Sequence, residues 1–235
     1  MSPFLYQWLQ DAQNALLAPR CLLCQAPATL DTSICAGCHA ELPWLGRACE
    51  LCALPLPGKA ATLRCRACQK RPCFDAGVAA CRYEQPMPWL IGQLKFAGRR
   101  HHAPLLGDLL AQAVLASGLV LPDRLLCVPL HVKAYRRRGF NQAERITHRL
   151  SQRLGVPMSG AVLQRTRNTP AQVGLSAARR AANVRDAFAV RHTVADAHVA
   201  IVDDVVTTSR TAAELARVLY RAGARRVDVY CVARA

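Results

Sequence analysis

Two neighbouring aspartates and a polar turn follow one short apolar segment of the chain. Val199–Val202 is apolar enough to form a buried strand, and Asp203 and Asp204 come directly after it. The polar turn that follows is made of Thr207, Thr208, Ser209, Arg210 and Thr211. Exposed backbone amides and the positive end of a helix dipole favour an anion at such a turn, most naturally a phosphate. Because the two carboxylates would repel phosphate, we expect them to face ribose hydroxyls or a Mg²⁺ ion.

A site with phosphate at one end and vicinal hydroxyls at the other is suited to a ribose 5-phosphate. The sequence has no G-x-x-x-x-G-K-[ST] segment, which excludes an ordinary nucleotide-binding P-loop. A second interpretation is open at this point. In it, residues 207–211 only cap the following helix, and the paired aspartates are a surface feature.

Eight of the twelve cysteines form four Cys-x-x-Cys pairs, which make up two sets of four. The first set is Cys21, Cys24, Cys35 and Cys38, and the second set is Cys49, Cys52, Cys65 and Cys68. Two thiolates separated by two residues direct both sulfur atoms to one point, and two such pairs complete a tetrahedron around Zn²⁺. We therefore predict two structural zinc ions. Disulfides are the alternative, but the N-terminal segment lacks the basic start of a secretion signal.

The cysteines and the charges divide the chain into two parts. Residues 1–75 hold nine cysteines and a net charge of only +2, whereas residues 76–235 hold 24 basic and 10 acidic residues. We expect a double zinc-ribbon module with an N-terminal helix over 1–75 and a basic domain over 76–235. The resulting charge of +14 on one domain is typical of proteins that bind polyanions. No apolar run reaches the roughly 18 residues of a membrane span, so we expect a cytoplasmic protein.

The basic domain must position the polar turn, and its sequence alternates apolar strands with helices. The expected strands are Leu125–Leu130, a short one near 161–163, Val199–Val202 and Val227–Val232. The expected helices are Gln142–Leu154, one near Ser176–Asn183 and Ala212–Arg221. This alternation indicates a parallel α/β sheet, in which ligands bind at the carboxyl ends of the strands.

Taken together, the motifs resemble the ComF/GntX family over nearly the whole chain. The segment Asp203–Thr211 is similar to the phosphoribosyl pyrophosphate (PRPP) loop of type I phosphoribosyltransferases. Further matching segments are Gly92–Gly98, Val128–His131, Arg138–Gln142 and Arg165–Gln172. The resemblance implies a type I phosphoribosyltransferase-like parallel sheet flanked by helices and preceded by a small double zinc-ribbon module. Members of this family are associated with DNA uptake during natural competence or with the use of external DNA as a nutrient.

The resemblance also implies roles for individual residues. Asp203 and Asp204 would lie near the ribosyl group of PRPP, which binds together with Mg²⁺. Contacts to the pyrophosphate would come from the loop that holds His131, Lys133, Arg136, Arg137 and Arg138. A flexible loop that closes over the ligand would hold Arg165, Arg167 and Gln172, and the alternative for this stretch is a plain connecting loop. The chain departs from the family at Ser209, where the phosphate turn usually has glycine. His131 has an alternative role, because it fits a polar helix cap as well as a ligand contact.

Three functions are compatible with these residues. We favour a protein that handles imported single-stranded DNA, with PRPP as a gating ligand. The basic residues expected on the DNA surface are Lys95, Arg99, Arg100, Arg179 and Arg180. The second function is a Mg²⁺-dependent phosphoribosyltransferase, although the segment Arg82–Gly107 has no obvious pattern for reading a base. The third is an adaptor whose zinc ribbon docks a partner such as a DNA-translocating helicase.

Overall fold

The structure is a computed structural model that describes residues 20–28, 33–58, 62–160, 162–167 and 186–235. The chain forms two compact units, Met1–Leu42 and Pro43–Ala235. The second set of four cysteines therefore belongs to the same unit as the basic domain. The break at residue 75 marks a change in composition and does not coincide with the border between these units. The predicted N-terminal helix and the predicted helix near 176–183 lie outside the described residues.

The smaller unit contains one short helix, α1 (Ala36–Ala40), among its described residues. Cys35 precedes this helix, and its sulfur atom accepts a hydrogen bond from the Cys38 N–H at 3.5 Å. An isolated antiparallel bridge joins Arg20 to Pro27. This bridge and the helix hold the two cysteine pairs of the first set.

The larger unit contains a four-stranded parallel sheet in the order β1-β6-β5-β2. Its strands are β1 (Ala76–Arg82), β2 (Arg124–Cys127), β5 (His198–Val206) and β6 (Arg226–Arg234). The two central strands, β5 and β6, are buried along almost their whole length, as expected for strands covered on both faces. The prediction of a parallel sheet is confirmed. Two short strands, β3 (Leu163–Arg165) and β4 (Phe188–Val190), form a separate antiparallel pair.

Helices connect and cover the sheet in the described part of this unit. They are α2 (Arg66–Lys70), α3 (Met87–Lys95), α4 (His102–Ala116), α5 (Val132–Arg138), α6 (Gln142–Leu154) and α7 (Arg210–Arg221). The helix α6 has the predicted bounds, because Asn141 caps its start and Gly155 ends it in a left-handed conformation. No described helix is long and apolar enough to cross a membrane.

The second cysteine set packs directly on β1. The Gly77 N–H donates to the carbonyl oxygen of Glu50 at 3.0 Å. A Cβ atom at Gly77 would lie 2.6 Å from the carbonyl oxygen of Leu51, so only glycine leaves room for this approach. Cys49 and Cys52 belong to the same buried core as the strands of the sheet.

Candidate functional site

A cavity of about 830 Å³ opens at the carboxyl ends of β2 and β5. This is the edge of a parallel sheet at which ligands are expected. The end of β5 and the polar turn that leads into α7 line this cavity. The helix α5, the end of α3 and Arg165 line it as well. The polar residues that line it are Lys95, Lys133, Arg137, Arg138, Gln142, Arg165, Asp203, Asp204, Thr207, Thr208, Ser209, Arg210 and Thr211.

The two aspartates lie within β5 and not after it, because pairing with β6 continues to Val206. Asp204 is 2% exposed, whereas Asp203 is partly exposed. Lys95, at the end of α3, places its Nζ atom 2.7 Å from Oδ2 of Asp204. An ion pair therefore forms inside the cavity.

Burial and the neighbouring Asp204 carboxylate raise the pKa of Asp203 well above its ordinary value. Burial also disfavours the charged form of Lys95, but the Asp204 carboxylate outweighs this effect and the pKa of Lys95 is raised. The acidic pair thus has an ion-pair partner in Lys95 and is also attracted by the guanidinium groups of Arg138 and Arg165. A bound cation or a hydroxyl donor would relieve the remaining charge.

The polar turn has an unusual backbone at Ser209. This residue has φ 55° and ψ 5°, in the left-handed region that favours glycine, and it immediately precedes α7. Its side chain does not cap the helix, so the first amides of α7 are left for another acceptor. The buried Nη1 atom of Arg210 has no hydrogen-bond partner within the described residues. Open amides and a guanidinium nitrogen at one turn are suited to a phosphate group.

The segment that follows β2 is the helix α5 and not the predicted loop. His131 caps its start by accepting from the Lys133 N–H at 3.2 Å, which is the cap interpretation of this residue. Lys133, Arg137 and Arg138 line the cavity, whereas Arg136 is exposed and is not among the lining residues described here. Burial lowers the pKa of Arg138. The helix thus directs three of the five predicted residues toward one space.

Of the three residues predicted on a flexible loop, Arg165 ends β3 and lines the cavity. Its guanidinium carbon lies 5.6 Å from the centre of the Phe188 ring, and burial lowers its pKa. Arg167 is exposed. Gln172 lies outside the described residues.

A second pocket of about 420 Å³ adjoins the first and shares Lys95, Arg137 and Arg138 with it. Phe96 lines both pockets and is 80% exposed. The guanidinium carbon of Arg138 lies 5.9 Å from the centre of the Phe96 ring. Sequence reasoning missed this aromatic residue, although it directly follows Lys95 in the segment Gly92–Gly98.

The residues predicted on a DNA surface have different surroundings. Arg99 and Arg100 are exposed, and the guanidinium carbon of Arg100 lies 5.1 Å from the centre of the Phe140 ring. Lys95 instead points into the first cavity toward Asp204, so we place it with the acidic pair. Arg179 and Arg180 lie outside the described residues.

Both cysteine sets have the geometry of a zinc site. In each set the four sulfur atoms lie within 4.8 Å of one another. The distances between Cys24 and Cys35 (3.6 Å) and between Cys52 and Cys65 (3.7 Å) match the edge of a tetrahedron of about 3.8 Å that zinc–sulfur bonds produce. The two sets fit two structural zinc ions.

One thiol of each set ionises easily. Burial opposes the thiolate in both cases, but backbone N–H groups donate to the sulfur atoms and outweigh it. The pKa is lowered to about 6 for Cys21 and to about 7 for Cys49. The thiolate is the form that binds metal.

Solved structures similar to this chain include phosphoribosyltransferases. Glutamine PRPP amidotransferase from Bacillus subtilis is 24% identical and is matched over 54% of this chain and 25% of that chain, with a TM-score of 0.37. Purine phosphoribosyltransferase from Pyrococcus horikoshii is 18% identical and is matched over 62% and 74% of the two chains, with a TM-score of 0.32. The predicted parallel sheet flanked by helices is present in the structure, and the predicted double zinc ribbon is matched by a family model.

Relatives match the chain along nearly its whole length. The family model described as "Double zinc ribbon domain" matches residues 12–69. DNA utilization protein YhgH of Salmonella typhimurium is 39% identical over 91% of this chain and 96% of that protein. Competence protein F of Haemophilus influenzae is 31% identical over 92% of this chain and 97% of that protein. The protein therefore belongs to the ComF/GntX family, together with DNA utilization protein YhgH and competence protein F.

Proposed function

We propose that the protein binds PRPP or a closely related ribose phosphate, together with Mg²⁺, and that it handles single-stranded DNA during DNA uptake or utilisation. The observation that carries the first part is that one cavity collects the acidic pair, the polar turn and the basic residues of α5. A volume of about 830 Å³ is in the range of small-molecule sites. The names of the relatives, competence protein F and DNA utilization protein YhgH, support the role in DNA uptake.

The 5-phosphate would bind at the turn that precedes α7. The first amides of this helix lack a side-chain cap, and the positive end of its dipole faces the turn. Thr207, Thr208 and Thr211 line the cavity and would add hydroxyl donors. Arg210 would donate from its buried nitrogen. Each of these groups favours an anion with several acceptor oxygens.

The ribose and Mg²⁺ would bind at the acidic pair. Asp203 and Asp204 carry up to two negative charges, and Lys95 offsets one of them. Ribose hydroxyls can donate to the remaining oxygen atoms, and carboxylate oxygens are ligands that Mg²⁺ prefers. When bound, Mg²⁺ would neutralise charge on the diphosphate of PRPP.

The diphosphate would face α5. Lys133, Arg137 and Arg138 of this helix line the cavity, and guanidinium groups bind phosphate oxygens through paired hydrogen bonds. In a transferase, the bond between C1 of the ribose and the diphosphate would break, and the diphosphate would leave with the electron pair. An incoming nucleophile would form the new bond to C1. The carboxylates would stabilise the positive charge on the ribose during this exchange.

Equilibrium dialysis with three ligands in the presence of Mg²⁺ tests this part of the proposal. We expect PRPP to bind, and we expect ribose 5-phosphate and pyrophosphate each to displace it, because each fills one end of the same cavity. Bound PRPP that neither ligand displaces would contradict the proposal. Release of pyrophosphate after addition of a base or of single-stranded DNA would identify a transferase, and stable PRPP would indicate a binding protein.

The pocket at Phe96 supports the DNA part of the proposal. An exposed aromatic ring beside guanidinium groups is the combination that proteins use for single strands, since bases stack on the ring and arginines contact the phosphates. Arg137 and Arg138 lie in this pocket, and Arg99 and Arg100 are exposed near it in the chain. The net charge of +16 adds long-range attraction for a polyanion.

Fluorescence anisotropy with a labelled oligothymidine tests DNA binding. We expect the logarithm of the affinity to fall linearly with the logarithm of the salt concentration. Phe96→Ala should weaken binding by about five-fold or more at every salt concentration, because it removes a stacking surface and no charge. Leu115→Ala, another exposed apolar side chain, is the matched control.

An abasic oligonucleotide of equal length separates stacking from charge. We expect it to bind the wild-type protein more weakly than oligothymidine, and to bind the wild-type and Phe96→Ala proteins equally. Equal affinity of the wild-type protein for both oligonucleotides would contradict a base-stacking site. A flat salt response would contradict DNA binding as a whole.

A further inference from the structure

A buried arginine connects the second cysteine set with the polar turn. Arg234 is the last residue of β6 and is 4% exposed. Its side chain donates hydrogen bonds toward the second cysteine set, toward the turn before α7 and to the carbonyl oxygen of the neighbouring Ala235. A guanidinium group suits this position because its planar fork holds several acceptors in fixed directions.

On one side, Arg234 contacts a cysteine of the metal cluster. Its Nε atom donates to the carbonyl oxygen of Cys52 at 2.9 Å. Cys52 belongs to the turn that packs on β1. The contact is so close that a side chain at position 77 would not fit, and Gly77 has none. The position of this carbonyl therefore depends on how the cluster holds the turn between Cys49 and Cys52.

Arg234 also donates hydrogen bonds to the polar turn and to the residue that precedes it. Its Nη1 atom donates to the carbonyl oxygen of Val206 at 2.9 Å and to that of Thr207. Its Nη2 atom donates to the hydroxyl of Ser209 at 3.3 Å. The Ser209 hydroxyl thus accepts from Arg234 and does not cap α7. This hydrogen bond also fixes a residue whose backbone is in a conformation that favours glycine.

We infer that Arg234 is a positioning residue that couples zinc binding at the second cysteine set to ligand binding at the polar turn. With zinc held by Cys49, Cys52, Cys65 and Cys68, the Cys52 carbonyl would keep its position and orient the guanidinium, which holds the turn in its ligand-binding shape. The inference rests on the proposed function of the turn as a phosphate site. The coupling concerns the second cysteine set, because the described hydrogen bonds of Arg234 are made within the larger unit.

Coupling between two sites acts in both directions. If zinc at the second set strengthens PRPP binding by some factor, PRPP must strengthen zinc binding by the same factor. The effect should therefore be visible in zinc release as well as in ligand affinity. Zinc release does not depend on whether the protein has a catalytic activity.

Two paired variants isolate the clusters for this measurement. Cys21→Ser/Cys24→Ser keeps the second cluster, and Cys49→Ser/Cys52→Ser keeps the first. With a chromogenic chelator, we expect Mg²⁺ and PRPP to slow zinc release from the first of these variants by about ten-fold. Release from the other variant should not change. Equal effects of PRPP on both variants, or no effect on either, would overturn the inference.

Substitution of Arg234 tests the connection itself. Arg234→Met should weaken PRPP binding by about ten-fold or more while two zinc ions stay bound, because charge-assisted hydrogen bonds to the turn are lost. Arg234→Lys, which keeps the charge but not the fork, should recover only part of the affinity. If Arg234→Met does not fold, PRPP binding by Arg234→Lys tests the connection in its place. Arg225→Met, at an exposed arginine directly before the same strand, is the control.

Hydrogen exchange separates failure of this inference from failure of the proposed function. In the ligand-free protein, removal of zinc from the second cluster should speed amide exchange at residues 207–211, and removal from the first cluster should not. If the wild-type protein binds no PRPP, the phosphate site and the inference both fail. If it binds PRPP with unchanged affinity after Arg234→Met, only the inference fails.

Discussion

Lys95 Nζ lies 2.7 Å from the carboxylate of Asp204, and this ion pair joins the end of α3 to the far half of β5. Asp204 is almost fully buried, so its charge needs a partner. The pair therefore has two roles. It holds α3 beside the cavity, and it lowers the negative charge that a phosphorylated ligand would meet.

A double-mutant cycle measures this pair. Lys95→Met should lower the free energy of unfolding by about 3 kcal/mol, because it removes the ion-pair partner of the buried Asp204 carboxylate. The double variant Lys95→Met/Asp204→Asn should lose less than the sum of the two single variants. Urea denaturation provides the values, and Lys133→Met, at an exposed lysine, is the control. Additive losses would show that the two side chains do not interact.

The raised pKa of Asp203 predicts a pH dependence of stability. The folded protein holds the Asp203 proton more tightly than the unfolded chain, whose aspartates titrate near 3.8. Stability therefore falls as the pH rises from the unfolded value through the folded one. Asp203→Asn should remove this slope and should be more stable than the wild-type protein at about pH 7. Urea denaturation from about pH 5 to pH 8 tests it, and parallel curves for both proteins would contradict it.

The backbone of Ser209 predicts an order of stability for two small substitutions. At φ 55°, an alanine keeps the strain of the left-handed region, whereas a glycine relieves it. Both variants lose the hydrogen bond from Arg234, so their difference reports the backbone alone. We expect Ser209→Ala to be less stable than Ser209→Gly by about 1 kcal/mol. Equal stability in thermal or urea unfolding would show that the turn has a different backbone.

The two cysteine sets predict about two zinc ions per chain by elemental analysis. Cys21→Ser/Cys24→Ser should lower the content to about one and leave the sheet folded, because these residues lie in the smaller unit. Cys49→Ser/Cys52→Ser should also lower it to about one, but should destabilise the larger unit, whose core includes both residues. A zinc content near zero in the wild-type protein would contradict both sites.

The predicted elements that match the structure are those with strong periodicity or long apolar runs. The helix α6 has the predicted bounds, and the strands β5 and β6 contain the predicted segments. The strand β1 was not predicted, because Ala76–Arg82 is rich in alanine and contains only one β-branched residue. The hydrogen bonds to β6 stabilise β1 as a strand in spite of its low intrinsic β propensity.

Two boundaries near the site were wrong for physical reasons. The acidic pair was expected to end β5, but pairing with β6 carries the strand on to Val206. The basic run Val132–Arg138 was expected to be a loop, but His131 caps its start and Gly139 ends it in a left-handed conformation.

The residue types of the candidate site could be predicted from the sequence, but the contacts between distant residues could not. The spacing of the cysteines and the polar turn are local features, and a sequence displays them directly. The ion pair of Lys95 with Asp204 and the hydrogen bond of Arg234 with Cys52 join residues more than a hundred positions apart. Only the folded sheet brings these partners together.

Calorimetry with PRPP and Mg²⁺ tests the central claim that the acidic pair and the polar turn form one ligand site. The proteins are the wild type, Asp203→Asn, Asp203→Asn/Asp204→Asn and the control Asp196→Asn, whose side chain is exposed. Zinc content and circular dichroism establish that each is folded. We predict binding by the wild type and the control, and a loss of about ten-fold or more in both Asp203 variants. Equal binding by all four proteins would contradict the account.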